Sequence, residues 1–169
     1  ENAIKLAAGR PIPTRIDAPI RLLTAGDLEA PVQPLPDPAI GDLSFGAIIK
    51  TEANEYWQAM ADGYAFAAET YGVNVQVGSV PTEADTDEQL ALAESYLDQG
   101  FDALLVSPIT PSNLNSALAA ASEAGLPVIN VDELIPAAAA ADAGIDIAQR
   151  IASNNYQAGQ LAGNYLLAN

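Results

Sequence analysis

From Leu43 onward, short apolar runs alternate with longer segments whose apolar residues recur at helical spacing. "LSFGAIIK" has the length of a strand. "EYWQAMADGYAFAAETY" follows it with Tyr56, Met60, Tyr64, Ala67 and Tyr71 on one stripe, and Gly72 is expected to close that helix. "VNVQV" alternates strictly, as a half-exposed edge strand does. Thr86 and Gln89 have the spacing of a capping box ahead of Leu90, Ala93 and Leu97, with Gly100 ending the helix. "ALLV" reads as a buried strand, and Pro111 as a first helical position before Leu114, Ala117, Leu118 and Ala121. Gly125 stops this third helix, and "PVINV" makes a fourth strand.

Strands are thus predicted near 43, 73, 102 and 128 with one helix between each pair. Repeated βαβ units build a parallel, doubly wound α/β sheet covered on both faces. After Asp132 the pattern loosens: "ELIPAAAAADAGIDIAQ" shows no period and reads as a loop with one helical turn. "RIAS" reads as a fifth strand, and Ala158, Leu161, Ala162, Tyr165 and Leu166 form the stripe of a last amphipathic helix. Residues 1–41 differ in kind. They hold seven of the twelve prolines and four of the six positive charges. Proline at this density opposes both helix and central strand, so the segment reads as an extended arm or tether, either packed through Ile20, Leu22 and Leu23 or disordered.

Composition narrows the function. With 169 residues, half of them apolar, the chain can bury one real core but not two of ordinary size. A net charge of −16 repels phosphate backbones and anionic membrane surfaces, which argues against nucleic-acid partners. With no His and no Cys, Ser-His-Asp triads, Cys-His pairs, disulfides and the usual zinc ligand sets are all excluded. Glycine-rich phosphate cradles are missing too, so neither cofactor nor metal is expected. No apolar run reaches the length of a membrane span. Glu1 in place of an initiator Met is expected to reflect a processed or engineered N-terminus, with any signal peptide already removed.

Ligands of open parallel sheets bind beyond the carboxyl ends of the strands. Past the first predicted strand stand Lys50, Thr51, Asn54, Tyr56 and Trp57; past the third, Ser107, Thr110, Ser112 and Asn113; past the fourth, Asp132 and Glu133. Carboxylates, an amide, an ammonium and aromatic faces suit a neutral polyhydroxylated molecule, because they bond its hydroxyls and cover its C–H face. Tyr56 shares the stripe of Met60 and Tyr64, so core packing and ligand contact both stay open. Trp57, off that stripe in the first helical turn, reads as a stacking wall. Asp132 and Glu133 read as ligand carboxylates, with capping of the next loop as the alternative. Lys50, the one cation between Arg21 and Arg150, reads as the partner of Asp132, Glu133 or Glu52 and as a donor to the ligand; a lone solvated charge is the alternative.

"KTEANEYW", "SPITPSNL", "VINVDELI" and "RIASNNYQAG" carry a resemblance. From about Leu43 to Gln160 the chain resembles the first lobe of a periplasmic sugar-binding protein of the ribose-binding type, and within that family the D-allose-binding kind. The resemblance implies a periplasmic-binding-protein-like type I lobe at residues 42–153, followed at 154–169 by the first helix of a second lobe. It implies a two-lobed receptor, monomeric when intact, that closes on a monosaccharide or polyol and hands it to an ABC-transporter permease. The setting implied is the periplasm, or a lipid anchor at the cell surface. Lys50, Asn54, Tyr56, Trp57, Asp132 and Glu133 fall where such proteins contact sugar. Ribose binders typically carry Asp-Arg where this chain has Asp132-Glu133, which favours an allose-like hexose, a pentose or a polyol. The resemblance does not extend to the arm at 1–41.

Three other functions fit less well. A LacI-like effector domain would need a basic helix-turn-helix upstream, which the proline-rich arm is not. A sugar-acting enzyme using Asp132 and Glu133 as acid and base would need both to flank one bond, whereas neighbours on an extended chain point opposite ways. A receiver-type signalling domain would carry its acidic cluster after the first strand, where Lys50 stands.

Overall fold

The computed structural model describes residues 2–7, 9, 11–18 and 43–168. In chain order these form α1 (Asn2–Ala7), β1 (Arg15–Ala18), β2 (Ser44–Thr51), α2 (Glu55–Tyr71), β3 (Asn74–Val80) and α3 (Thr86–Leu97). They continue as β4 (Ala103–Val106), α4 (Asn115–Glu123), β5 (Val128–Val131), α5 (Ala137–Asp142), β6 (Ile147–Ser153) and α6 (Asn155–Ala168). The strands make one sheet in the order β1-β6-β5-β4-β2-β3 with every pair parallel. This is the doubly wound α/β sheet that the alternating pattern predicts, and its order reverses between β2 and β4.

Burial follows position in the sheet. Central β2 is buried at seven of its eight positions, while β3 at the edge alternates between exposed and half-buried over its first half. One face carries α3 and α4, whose Ala93, Ala117, Leu118 and Ala121, with Leu114 just before α4, pack on Ile48, Leu104 and Val106. Fully burying one such aliphatic side chain contributes about 1.5–3 kcal/mol. The other face carries α1 and α2 over Phe45, Ala103 and Ile129. Here Ala3, Ile4, Met60, Tyr64 and Tyr71 line an apolar cavity of about 400 Å³. Gly72, at φ 65°, closes α2 by donating its N–H to the Ala68 carbonyl, a conformation cheap only without a Cβ.

Four local expectations give way. Gln89 does not close a capping box: it is fully buried, and its amide serves the end of β2 and the loop after β4. Asp85 precedes α3 instead, and its carboxylate accepts from the Thr82 amide and hydroxyl. Pro111 lies in a turn, and α4 begins at Asn115, because Asn113 Oδ1 accepts from the Thr110 amide and holds the chain in a tight bend first. The stretch after Asp132 is more regular than its composition suggests, with a six-residue helix and a strand that starts at Ile147. Residues 2–18 also contain a helix and a strand, because α1 precedes the first proline and β1 fits between Pro13 and Pro19 at a sheet edge. Ile20, Leu22 and Leu23 lie outside the described residues. No helix among the described residues is long and apolar enough to cross a membrane.

Candidate functional site

The carboxyl ends of β2, β3 and β5 converge beside the point where strand order reverses. Lys50, the penultimate residue of β2, is only 7% exposed. Its Nζ lies 3.7 Å from Asp132 Oδ2, 3.9 Å from Glu133 Oε2 and 3.9 Å from Glu83 Oε2. All three are ion pairs rather than hydrogen bonds, which would be shorter. The ammonium therefore sits low among three more exposed carboxylates and keeps N–H donors for an incoming oxygen. Glu52 is not among its partners; that carboxylate accepts from the Ser79 hydroxyl instead.

The loop after β2 orders the aromatic pair. Asn54 caps α2 by accepting from the Trp57 amide at 3.2 Å, so its side-chain oxygen serves the helix. The structure decides the open choice at Tyr56 in favour of exposure and buries Trp57, which its spacing marks as an open wall. Tyr56 is 54% exposed and donates its hydroxyl to Asp132 Oδ1 at 3.2 Å. Trp57 is 3% exposed, packed edge-on against Tyr56 with ring centres 4.8 Å apart. Its Nε1 donates to Glu83 Oε1 at 2.9 Å, and Lys50 Nζ lies 5.6 Å from the ring centre. An indole can satisfy both its apolar body and its one donor here, which favours burial over an open wall. The surface facing solvent is thus Tyr56, with Trp57 as its backing. Burial, then the charge of Asp132, then the bond to it push the Tyr56 phenol up to about 12.

Asp132 is the one non-glycine among the described residues with positive φ, at 65°. Aspartate tolerates this region better than most residues, and such strain gathers where side-chain direction matters. The loop is pinned from several sides. The Asp132 amide donates to the Ile151 carbonyl, and buried Asn130 donates to the Glu133 carbonyl and accepts from the Ile135 amide. Arg150 Nε donates to the Ile135 carbonyl, and the Ile135 side chain is sunk in the core. Lys50, Asn54, Tyr56, Trp57, Asp132 and Glu133 are therefore brought together. By contrast Ser107 is fully buried, and Thr110 and Asn113 bond one another in the turn before α4. The ends of the first, third and fourth predicted strands do not include Glu83; it follows β3, the second, to which the same strand-end rule applies.

No group of three or more His, Cys, Asp or Glu with metal-holding geometry occurs among the described residues. The chemistry on offer is ion-paired carboxylates, an ammonium with donors to spare and an aromatic ring, groups of a kind that can bond and orient hydroxyls.

Comparison with known proteins agrees with this topology. The chain is 26% identical over 129 residues to the D-allose-binding periplasmic protein of Escherichia coli (strain K12), covering 76% of this chain and 42% of that protein. It is 28% identical over 147 residues to the ribose import binding protein RbsB of Bacillus subtilis (strain 168), covering 86% and 45%. The chain thus spans less than half the length of these relatives, which are named as binding proteins and not as enzymes. A solute-binding protein of an ABC transporter from Burkholderia multivorans superposes with a TM-score of 0.69 at 20% identity, over 75% of this chain and 45% of that one, a likeness of fold. The family model for the periplasmic binding protein domain matches residues 45–169, and the chain belongs to that family.

Proposed function

We propose that this chain forms one wall of an extracytoplasmic receptor that binds a neutral sugar or polyol without altering it and delivers it to an ABC importer. The observation that carries the reading is the setting of Lys50. Its ammonium lies between 3.7 and 3.9 Å from three carboxylates without a hydrogen bond to any of them, directly beside the exposed Tyr56. A vicinal diol can accept from such an ammonium while donating to Asp132 or Glu133, and the tyrosine ring covers its C–H face. In this reading Lys50, Asn54, Tyr56, Asp132 and Glu133 face the ligand and Trp57 backs them. The relatives, named as a D-allose-binding protein and a ribose import binding protein, support a monosaccharide.

Residues 42–153 act as the sugar-binding lobe, and α6 opens a second lobe that closes over the ligand. Sites of this kind bury about 70–90% of a small ligand, so both walls are needed for tight binding. The receptor works in the periplasm or on a lipid anchor, as a monomer that docks on the permease.

The test is calorimetry with a panel of pentoses, hexoses and alditols on the protein that carries this chain, followed by chemical analysis of the recovered ligand. Binding with unchanged ligand is the expected result. Release of a hydrolysed or isomerised product overturns the reading.

A further inference from the structure

We infer that Glu83 is the positioning residue of this site, holding Trp57 and Lys50 in place through one carboxylate. Its two oxygens are divided between them: Oε1 accepts from Trp57 Nε1 at 2.9 Å, and Oε2 lies 3.9 Å from Lys50 Nζ. The buried indole has one donor, and Glu83 receives it. Lys50 also stands over the indole, 5.6 Å from its centre. Carboxylate, indole and ammonium therefore close a triangle in which each member fixes the other two.

The carboxylate can do this because its own backbone is fixed. Glu83 lies in the turn between β3 and α3, where Asp85 Oδ2 accepts from the Thr82 amide at 2.8 Å and from its hydroxyl at 2.7 Å. The Ala84 amide donates to Thr82 Oγ1. Thr51, at the end of β2, ties this turn to the site: its hydroxyl donates to the Pro81 carbonyl at 2.9 Å and accepts from the Ala53 amide. The turn and the loop that starts α2 are thus tied together through Thr51. From Trp57 the constraint passes to Tyr56, stacked edge-on against it, and so to the hydroxyl that meets Asp132. Glu83 need not touch a ligand to set the direction of the groups that do.

The effect on binding rests on the sugar-receptor reading; the effect on Trp57 does not. Trp57 is the one Trp in the chain, so its indole N–H gives a single, assignable proton resonance. Glu83→Ala removes the acceptor and the charge, and is expected to move that resonance upfield and to speed its exchange with water in ligand-free protein. Glu83→Gln keeps an acceptor and loses the charge, and is expected to retain most of the resonance position. With a sugar that the wild type binds, Glu83→Ala should weaken affinity about tenfold and Glu83→Gln about threefold. In a Trp57→Phe background the Glu83→Ala loss should shrink, because the shared partner is gone. An indole resonance unmoved in Glu83→Ala overturns the proposal whether or not any sugar binds. So does a Glu83→Ala loss of the same size with and without Trp57. If no sugar binds the wild type, the receptor reading falls, and the indole resonance still decides the role of Glu83.

Discussion

The Tyr56 hydroxyl donates to Asp132 Oδ1 across 76 positions of sequence, joining the start of α2 to the end of β5. Burial of the phenol, and then the charge and bond of Asp132, make the site sensitive to alkali. The Tyr56 phenol is raised to about 12, and Tyr64 is raised as well, by burial first and then by the charge of Tyr56. The folded chain therefore keeps protons that an unfolded chain releases above the ordinary tyrosine value. This source leaves stability unchanged below about pH 10 and lowers it progressively toward pH 12. Urea melts at pH 9 and pH 11 should show the drop. Asp132→Asn removes the carboxylate charge, so ultraviolet titration should find Tyr56 ionising at lower pH than in the wild type.

On the sugar-receptor reading, Asp132→Asn also weakens binding by about tenfold, since a hydrogen bond to a charged acceptor contributes roughly 1.5–3 kcal/mol. Trp57 behaves differently because it is buried. Trp57→Ala should destabilise the fold by about 3–5 kcal/mol, whereas Trp57→Phe keeps the packing and loses the bond to Glu83. Calorimetric titration beside thermal melts separates these effects. A Trp57→Ala protein as stable as the wild type would contradict the buried placement.

Gln89 should be intolerant of change. Its Nε2 donates to the Ile49 and Ser107 carbonyls at 3.3 and 3.0 Å, and its Oε1 accepts from the Ile109 amide and Asn113 Nδ2 at 3.0 and 2.8 Å. Gln89→Leu fills the space and strands four partners, at about 3 kcal/mol. Gln89→Glu turns the donor toward two carbonyls into another acceptor and should cost more still. Equilibrium urea unfolding gives both values.

Gly46 and Gly63 should respond in opposite directions. A Cβ on Gly46 in β2 would meet Tyr96, Phe101 and Leu104 at 2.7, 2.8 and 2.9 Å, so Gly46→Ala should destabilise by about 2 kcal/mol. At Gly63 in α2 nothing lies within 4 Å, and Gly63→Ala should stabilise by about 0.5–1 kcal/mol through helix propensity. Thermal unfolding of the two variants side by side is the check.

The repeat from Leu43 to Val131 is legible in the sequence because the hydrophobic period there matches the element length, and one strand-end rule leads from it to Lys50, Asp132 and Glu133. What stays hidden depends on partners remote in sequence. Periodicity leaves Tyr56 open between core and ligand and sets Trp57 outward, but the acceptors at Asp132 and Glu83 hold Tyr56 at the surface and Trp57 inside. Gln89 has the spacing of a cap, yet two carbonyls and an amide from other elements use it instead. The strand at Ile147 is masked by the alanine run before it, which carries no period of its own. In residues 1–18 the prolines hide a short strand, because an edge position with a parallel neighbour tolerates flanking prolines that a central position would not.

The pairing of β1 with β6 has a consequence in time. Arg15 lies opposite Arg150, and Ala18 opposite Ser153. At roughly 5–20 residues per second, synthesis delivers the second partner on the order of ten seconds after the first. Until then β1 has no neighbour, while β2, β3, β4 and β5 can already assemble through crossovers of ordinary length. Contacts so far apart in sequence close the largest loop in the sheet and form late. The sheet is finished last at β6, the strand that leads out into α6.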